Sequence, residues 1–514
     1  CLSSENMPFH SIPPEVLENI AFFCATSRFQ GPPSGLLPLL SLNHRTNGFL
    51  ACDRPLYARI FAYKFDVNAI AVRLGQGLST AEFLTSELQR RFIVLKRIRR
   101  RRDSVLDEGK LEDPSLSRDL FSVYVMILEN QGRNMAQLCD YAELNVWLRE
   151  FWFHPSGTSR FHPTVKREAW PVLTPSVSIA LWLLLFALDF GKSIRNVGSS
   201  NDLRKPDKFD IQIEIYRCLS ILKLYSLAAH KYPLSWASWT DFVPRQFVGG
   251  YAYIYAGQML VPPPPTVAAI IAYITISDRL AATSHVGVAS YSSGRQLEVE
   301  WGKCSVLQPF KHNFLPDGHA IVYKYGSVEG AWQGVFTYSD FSTYAAVLGG
   351  GTPQILLNSG LTGQTQTWIM SEYHLDPNDL SALNDDEDFR PSHLFETVAE
   401  ETRDGLIVRT PGGKTYKYHR YTVGMGSPTS DIFITGEGHS AWGRFRFLGR
   451  VRPSDGFIVI SKTYADGQRD KWFYRGYLLG DTLAGRWRDT HSPNDLDGYE
   501  GCFMMSRRAA EIPR

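Results

Sequence analysis

Ile12-Pro13-Pro14-Glu15-Val16-Leu17-Glu18-Asn19-Ile20 is the stretch from which the N-terminal architecture is read. Consecutive prolines suit a first helical turn, where the N–H groups have no intrahelical partner and the ring's fixed φ is already helical. Glu15 follows where the positive end of the helix dipole favours a carboxylate. Val16, Leu17, Ile20, Phe23 and Cys24 recur three and four apart, which predicts a helix with one apolar stripe. Leu36, Leu37, Leu39, Leu40 and Leu42 predict a second helix ending near Gly48, and a third begins near Pro55 with Leu56, Tyr57, Ile60 and Phe61. Three short helices in about fifty residues enclose too little surface for a core of their own. Their leucines exceed what such a core absorbs, so the surplus is expected to be covered by a partner protein.

Helical spacing continues from about residue 63 to about 260. It covers Ala81 to Arg102, Leu116 to Phe153, Ser176 to Phe190 and Phe209 to Ala229, interrupted by a weakly structured stretch from Gly191 to Asp207. Pro262 to Pro265 form a stiff extended segment and are expected to mark a boundary. After about residue 300 alternation takes over. Trp332, Gly334, Phe336 and Tyr338 share one side of a strand, as do Phe445, Phe447 and Gly449. Further strands are predicted at Phe457 to Tyr464, Trp472 to Leu479 and Tyr499 to Met505, with Asp455-Gly456 and Asp466-Gly467 as tight-turn signals. Closing these hairpins into a barrel removes exposed edges, so a barrel is expected, with Trp332, Trp472 and Trp487 filling its interior or plugging its end. The acidic stretch Asp376 to Glu401 fits neither pattern and reads as a mobile surface loop; it lacks the central Gly and terminal Glu of a calcium-binding EF-hand loop.

The opening nonapeptide resembles the F-box pattern Leu-Pro-x-Glu-Val-Leu-x-x-Ile. Leu39-Leu40-Ser41-Leu42-Asn43-His44-Arg45 is similar to the second F-box helix, and Arg54 to Asp66 resembles the end of F-boxes in a large group of mushroom-type fungal proteins. Relative to that family the loop Thr26 to Gly35 is longer, and Gly48-Phe49 stand where a Trp is often found. F-boxes dock on the small Skp adaptor of cullin-RING ubiquitin ligases. The resemblance therefore implies Pro13, Glu15, Val16, Leu17, Ile20, Leu36, Leu39 and Leu42 as adaptor-binding residues. A second resemblance runs through Gly330-Ala331-Trp332, Gly334-Val335-Phe336, Gly443-Arg444-Phe445, Lys462-Thr463-Tyr464, Gly485-Arg486-Trp487 and Gly501-Cys502-Phe503. Their order is similar to calycin-like (lipocalin-related) barrels attached to eukaryotic regulatory proteins, F-box proteins among them.

The expected class is α+β multidomain: an N-terminal three-helix F-box over 10–62, a central all-α segment over 63–300, and a C-terminal antiparallel β-barrel over 301–510. The expected role is that of a non-catalytic substrate-recognition subunit of a Skp–cullin–F-box ubiquitin ligase, with an unidentified protein target. The second reading is a small-molecule carrier or sensor whose barrel holds an apolar ligand. Composition agrees with both. Lys plus Arg number 54 against 52 Asp plus Glu, a net charge of +2, so a nucleic-acid partner would need a local patch and none is expected. The seven cysteines are scattered without a C-x-x-C pair, and no N-x-S/T acceptor occurs. Both point to a reducing cytoplasmic or nuclear setting. The longest apolar run, Val177 to Leu188, is too short to cross about 30 Å of hydrocarbon, so no membrane partner is expected.

Catalytic and metal signals fail on spacing. Gly438-His439-Ser440-Ala441-Trp442-Gly443 places its last glycine one residue too late for a nucleophile elbow and reads as a hairpin turn. No H-E-x-x-H, phosphate-loop or paired-cysteine pattern occurs, so no cofactor or metal is expected. The run Lys96-Arg97-Ile98-Arg99-Arg100-Arg101-Arg102 leaves three readings open: a solvated last helical turn, a nuclear import signal, or a contact for phosphates or an acidic protein.

Overall fold

In the computed structural model, Pro14 is the first residue of helix α1 (Pro14–Thr26), with Pro13 before it and Glu15 in its first turn. The structure describes residues 12–78, 80–106, 111–190, 219–228, 230–234, 251–280, 294–306, 323–376, 391–422, 429, 431–453, 455–467, 470–493 and 496–508. A 3-10 turn (Ser34–Leu36) leads into α2 (Leu37–Leu40), then α3 (His44–Leu50) and α4 (Arg54–Lys64). The expected second helix is thus two. The Asn43 side chain accepts the Thr46 N–H at 2.8 Å and starts α3 as a new element. Helices α5 (Asn68–Leu78), α6 (Ala81–Arg99) and α7 (Leu116–Leu128) follow. The short α8 (Arg133–Met135) runs into a π-helical turn (Ala136–Tyr141) before α9 (Leu144–Phe153). The single periodic stretch from Leu116 to Phe153 is broken at Asn130-Gln131-Gly132. There the Asn130 side chain accepts the N–H groups of Gly132 and Met135, and Gly132 adopts φ 120°.

The chain divides after Thr158 into two compact units. Within the first unit the end of α4 is tied to later helices. The Lys64 ammonium donates to the carbonyls of Arg28 (2.7 Å) and Phe29 (3.3 Å). The Asp66 carboxylate accepts the N–H groups of Gln131 and Asn134 at 2.8 and 2.9 Å, and Asn134 accepts the Asp66 N–H in return. Phe65 packs on Phe92 of α6 with ring centroids 5.2 Å apart, and the buried Arg91 pairs with Glu87 and Glu129. Residue 300 lies inside a helix (Gly294–Val306) of the second unit. Pro262 to Pro265 join the small hairpin β1–β2 (Tyr253–Tyr255, Gln258–Leu260) to the helix Pro265–Leu280 within the second unit.

In that unit eight strands close into an antiparallel barrel. Around it run β3 (Gly330–Ser339), β13 (Glu500–Arg507), β12 (Thr482–Asp489), β11 (Trp472–Leu479), β10 (Phe457–Tyr464), β9 (Gly443–Val451), β8 (Ile432–Ser440) and β4 (Leu361–Leu375). Pairing of β3 with β4 completes the ring. A meander of β5 (Val398–Glu401), β6 (Gly405–Arg409) and β7 (Thr415–Arg420) branches from the end of β4. The expected loop is therefore strand at its end, Val398–Glu401; residues 377–390 lie outside the described residues. Inward positions follow the period of two: Trp332 and Phe336, Trp368 and Met370, Phe445 and Phe447, Tyr474 and Leu478, Leu483 and Trp487, Phe503 and Met505. Three rings lie over glycine. A Cβ on Gly436 would stand 2.3 Å from the Phe447 ring, one on Gly438 2.3 Å from Phe445, and one on Gly501 2.5 Å from Trp487.

The outer face of β10 to β13 is also buried, because helices of the same unit cover it. The helix Pro265–Leu280 lies against β12 and β13. The Arg486 guanidinium, pointing outward from β12, donates to the carbonyls of Tyr225, Ser226 and Tyr232. On this outer face Arg475 pairs with Glu500 (3.0 Å), and on neighbouring β9 Arg450 pairs with Asp431 (2.6 Å). Helix α10 (Pro175–Phe190) carries the longest apolar run and packs on Pro265–Leu280; Trp182 donates its indole N–H to the Pro263 carbonyl at 2.9 Å. No helix among the described residues is long and apolar enough to cross a membrane. Of the expected helix from Phe209 to Ala229, residues 219–227 are helical; the earlier residues, and the stretch from Gly191 to Asp207, lie outside the described residues.

Candidate docking site

Two faces of α1 do different work. Ala21 and Ala25 are buried against α3 and α4, where Leu50, Leu56, Ile60 and Phe61 are all fully enclosed. On the opposite side Val16, Ile20 and Phe23 recur at i, i+4 and i+7; Val16 is 47% and Phe23 70% exposed, and Ile20 is half-buried. Leu37 (61%), Leu42 (52%) and Phe49 (38%) are exposed on α2, its following turn and α3.

The eight expected contact residues fall into three groups. Pro13, Glu15, Val16 and Leu42 are exposed; Leu17, Ile20 and Leu39 are half-buried; Leu36 is buried at 2% exposure and offers no surface. Leu36 is buried because the chain from Thr26 to Gly35 folds back along α1. A Cβ on Gly35 would meet the Cys24 carbonyl at 2.2 Å, so only glycine permits this approach. Gln137 pins the same loop by accepting the Gly31 N–H (2.8 Å) and donating to the Phe29 carbonyl (2.8 Å). With Lys64 also holding Arg28 and Phe29, burial lowers that ammonium to about 8. Part of the leucine surplus is thus absorbed by this chain's own later helices, and the exposed apolar set is what remains. Arg59 of α4 braces α1, pairing with Glu18 at 2.6 Å and lying 4.6 Å over the Phe22 ring.

The basic run is largely engaged within its own unit. Arg97 reaches Asp103, Asp113 and Asp119 at 2.5, 2.7 and 2.5 Å. Arg99 lies 4.6 Å over the Tyr141 ring and donates to the Tyr141 carbonyl, and Arg101 pairs with Glu143. Lys96, Arg100 and Arg102 are exposed.

The barrel holds two polar groupings that the sequence reading passed over. At one end the Glu372 carboxylate accepts from the Tyr323 hydroxyl (2.7 Å) and the Gly326 N–H (2.8 Å) and meets His374 Nε2 at 2.8 Å, closing that end. Towards the other end Lys462 points inward, 2% exposed, between Ile460 and Tyr464. Its Nζ lies 3.9 Å from the Phe445 ring centroid, 4.9 Å from Tyr464, 5.5 Å from Tyr474 and 5.6 Å from Phe336. Burial alone lowers this ammonium to about 7. Period-two alternation through Ile458, Ile460, Lys462 and Tyr464 was the signal that could have found it. Trp332 and Trp487 fill the interior, donating to the Val328 and Thr337 carbonyls at 2.9 and 3.0 Å; Trp472 lies edge-on to Trp487 at 5.2 Å. Gly438 to Gly443 is the β8–β9 hairpin, as its spacing predicts.

Among the described residues no group of His, Cys, Asp and Glu side chains could hold a metal ion. Comparison with family models, with curated proteins and with solved structures finds no match to this chain.

Proposed function

We propose that the chain is the substrate-recognition subunit of a Skp–cullin–F-box ubiquitin ligase, docking on the Skp adaptor through α1 to α3 and presenting a protein target on its C-terminal β domain. The observation that carries this reading is the apolar row Val16, Ile20, Phe23, Leu37 and Leu42, which stays open although α1 already has a core face. An amphipathic helix with apolar residues on both sides has more surface to bury than its own unit covers. The F-box pattern over Ile12 to Ile20 names the partner that covers it. Such a subunit needs no reaction chemistry of its own. Holding a target beside the conjugating enzyme turns a bimolecular encounter into an intramolecular one at millimolar effective concentration (order of magnitude about 1 mM).

The test is co-expression of the full chain with a Skp adaptor and affinity purification. Wild-type chain should retain the adaptor. Leu42→Glu places a charge in the interface but, being exposed in the free chain, should fold normally and lose the adaptor. Failure of the wild type to retain it, or retention by the variant, would overturn the reading.

A further inference from the structure

We propose that the barrel end carrying the β8–β9 hairpin tip is a protein-docking surface, and that it takes a basic segment whose arginine or lysine side chains stack on Trp442 and Phe341. The proposal rests on the adaptor reading, whose target it describes by chemical class.

The topology gathers this surface from distant parts of the chain. β3 ends at Ser339, β8 at Ser440, β10 at Tyr464 and β12 at Asp489, while β9, β11 and β13 begin at Gly443, Trp472 and Glu500, so these termini share one end of the barrel. Aromatic rings run across it in contact. Phe341 meets Tyr499 with centroids 5.4 Å apart, Tyr499 meets Trp487 at 5.3 Å, and Trp442 rests on Phe336 and Tyr338 at 5.0 and 5.8 Å. Both extremes of the row are open, with Phe341 67% and Trp442 42% exposed. Packing alone asks for no such exposure, whereas wetted aromatic rings braced by buried ones are what the centres of protein interfaces are made of. Other faces of the barrel are occupied. The opposite end is closed by Glu372 with Tyr323, Gly326 and His374, and the helix Pro265–Leu280 lies against β12 and β13.

Charge selects the partner. Asp340, Asp466 and Asp470 are exposed around the row and Asp497 is half-buried. Against them stand Lys471, 5.5 Å from the Phe395 ring centroid, and His491, paired with Asp470 at 2.9 Å. Arg469 and Asp495, in the same two loops, lie outside the described residues and offset each other in the balance. Arg444 is two residues from Trp442 but belongs to the outer wall of β9, since its neighbour Phe445 faces in. The Lys462 amine is enclosed by rings that include Phe336, and burial lowers it to about 7, so at pH 8 it is mostly neutral. Rings bordered by carboxylates attract a guanidinium or ammonium twice, through the ring face and through the ion pair. Nucleic acids and acidic segments are repelled by the same carboxylates. The surface is also preformed. Asp489 accepts the N–H groups of His491, Ser492 and Tyr499 at 2.9, 2.7 and 2.6 Å, and Asp340 is held by the Ser342 hydroxyl and the Thr343 N–H. Little ordering therefore opposes binding.

Selection of phage-displayed random dodecapeptides on the full chain at pH 8, then fluorescence anisotropy with the labelled selected peptides, tests this. The selected peptides should be enriched in Arg or Lys, and their affinity should fall severalfold between about 50 and about 300 mM salt. Trp442→Ser combined with Phe341→Ser should weaken binding at least tenfold, and Asp466→Asn combined with Asp497→Asn severalfold, with thermal melts showing both variants folded. Both should still retain the Skp adaptor, and Leu42→Glu should still bind the peptides. No selected peptide, peptides without net positive charge, or an affinity unchanged in both rim variants would overturn the proposal whatever the adaptor result. Loss of the adaptor with peptide binding intact would overturn the adaptor reading and leave the basic-segment site standing.

Discussion

Lys462→Met removes a buried amine and keeps the length of its stem. In the folded chain burial lowers the ammonium from 10.5 to about 7, whereas the unfolded chain titrates at the ordinary value. Between those two values the unfolded state binds more protons, so stability rises with pH through that window and the penalty is fully present below about 7. The whole shift corresponds to about 5 kcal/mol at the usual conversion of roughly 1.4 kcal/mol per pH unit. Of this, about 2 kcal/mol should be recovered by the wild type between about pH 7 and 9. Methionine fills a similar volume among the rings and carries no proton. The variant should therefore be more stable than wild type at neutral pH, and its lead should shrink by about 2 kcal/mol towards about pH 9. Lys64 and Lys223, both lowered to about 8 by burial, titrate in both proteins and cancel in the difference. The window stops short of the phenol range, because burial pushes the Tyr474 hydroxyl upward and reverses the slope there. Urea unfolding of both chains across this range, followed by tryptophan fluorescence, reads the difference. A gap that does not change with pH, or a variant less stable than wild type at neutral pH, would mean that the rings hold a charged ammonium and that the burial argument is wrong.

Three further substitutions probe the scaffold. Gly438→Val sets a branched side chain where a Cβ already stands 2.3 Å from the Phe445 ring and 2.5 Å from the Thr367 carbonyl oxygen; it should cost about 3 kcal/mol, seen as a lowered urea midpoint, and an unchanged midpoint would contradict the ring-over-glycine packing. Asp431→Asn removes the carboxylate that holds Arg450 at 2.6 Å and accepts the Tyr418 hydroxyl at 2.5 Å; it should destabilise the barrel by about 3–5 kcal/mol, again by urea titration. Leu36→Glu buries a charge inside the first unit and should abolish its cooperative thermal transition, whereas Leu42→Glu, on the exposed face, should leave that transition in place.

The strands that the sequence made legible are those whose two faces differ. Phe457 to Tyr464 and Trp472 to Leu479 coincide with β10 and β11 because large apolar residues occupy their inward positions. β4 was not read, since Thr362 to Thr367 is polar and its identity as a strand comes from pairing with β3 and β8 on either side. β12 shows in the sequence only as Gly485-Arg486-Trp487, because its outward positions carry Arg486 and Arg488 and give no apolar alternation on that side; both are buried, and Arg486 is held by carbonyls of the same unit. The N-terminal helices were legible from proline placement and leucine spacing. What spacing could not say was how many of those leucines would be covered from within. That depends on Gly35 approaching the Cys24 carbonyl and on Lys64 and Gln137 holding residues 28–31, contacts made across long separations in the chain. Lys462 enters the sequence reading only as part of Lys462-Thr463-Tyr464; that it faces inward follows from its place between the inward Ile460 and Tyr464.

The most direct measurement is amide hydrogen exchange on the full chain, alone and with a Skp adaptor. The account predicts slowed exchange across residues 14–50 when the adaptor is present, with the strands Ile432–Ser440 and Phe457–Tyr464 unchanged. Unaltered exchange across 14–50, or protection confined to the barrel, would contradict it.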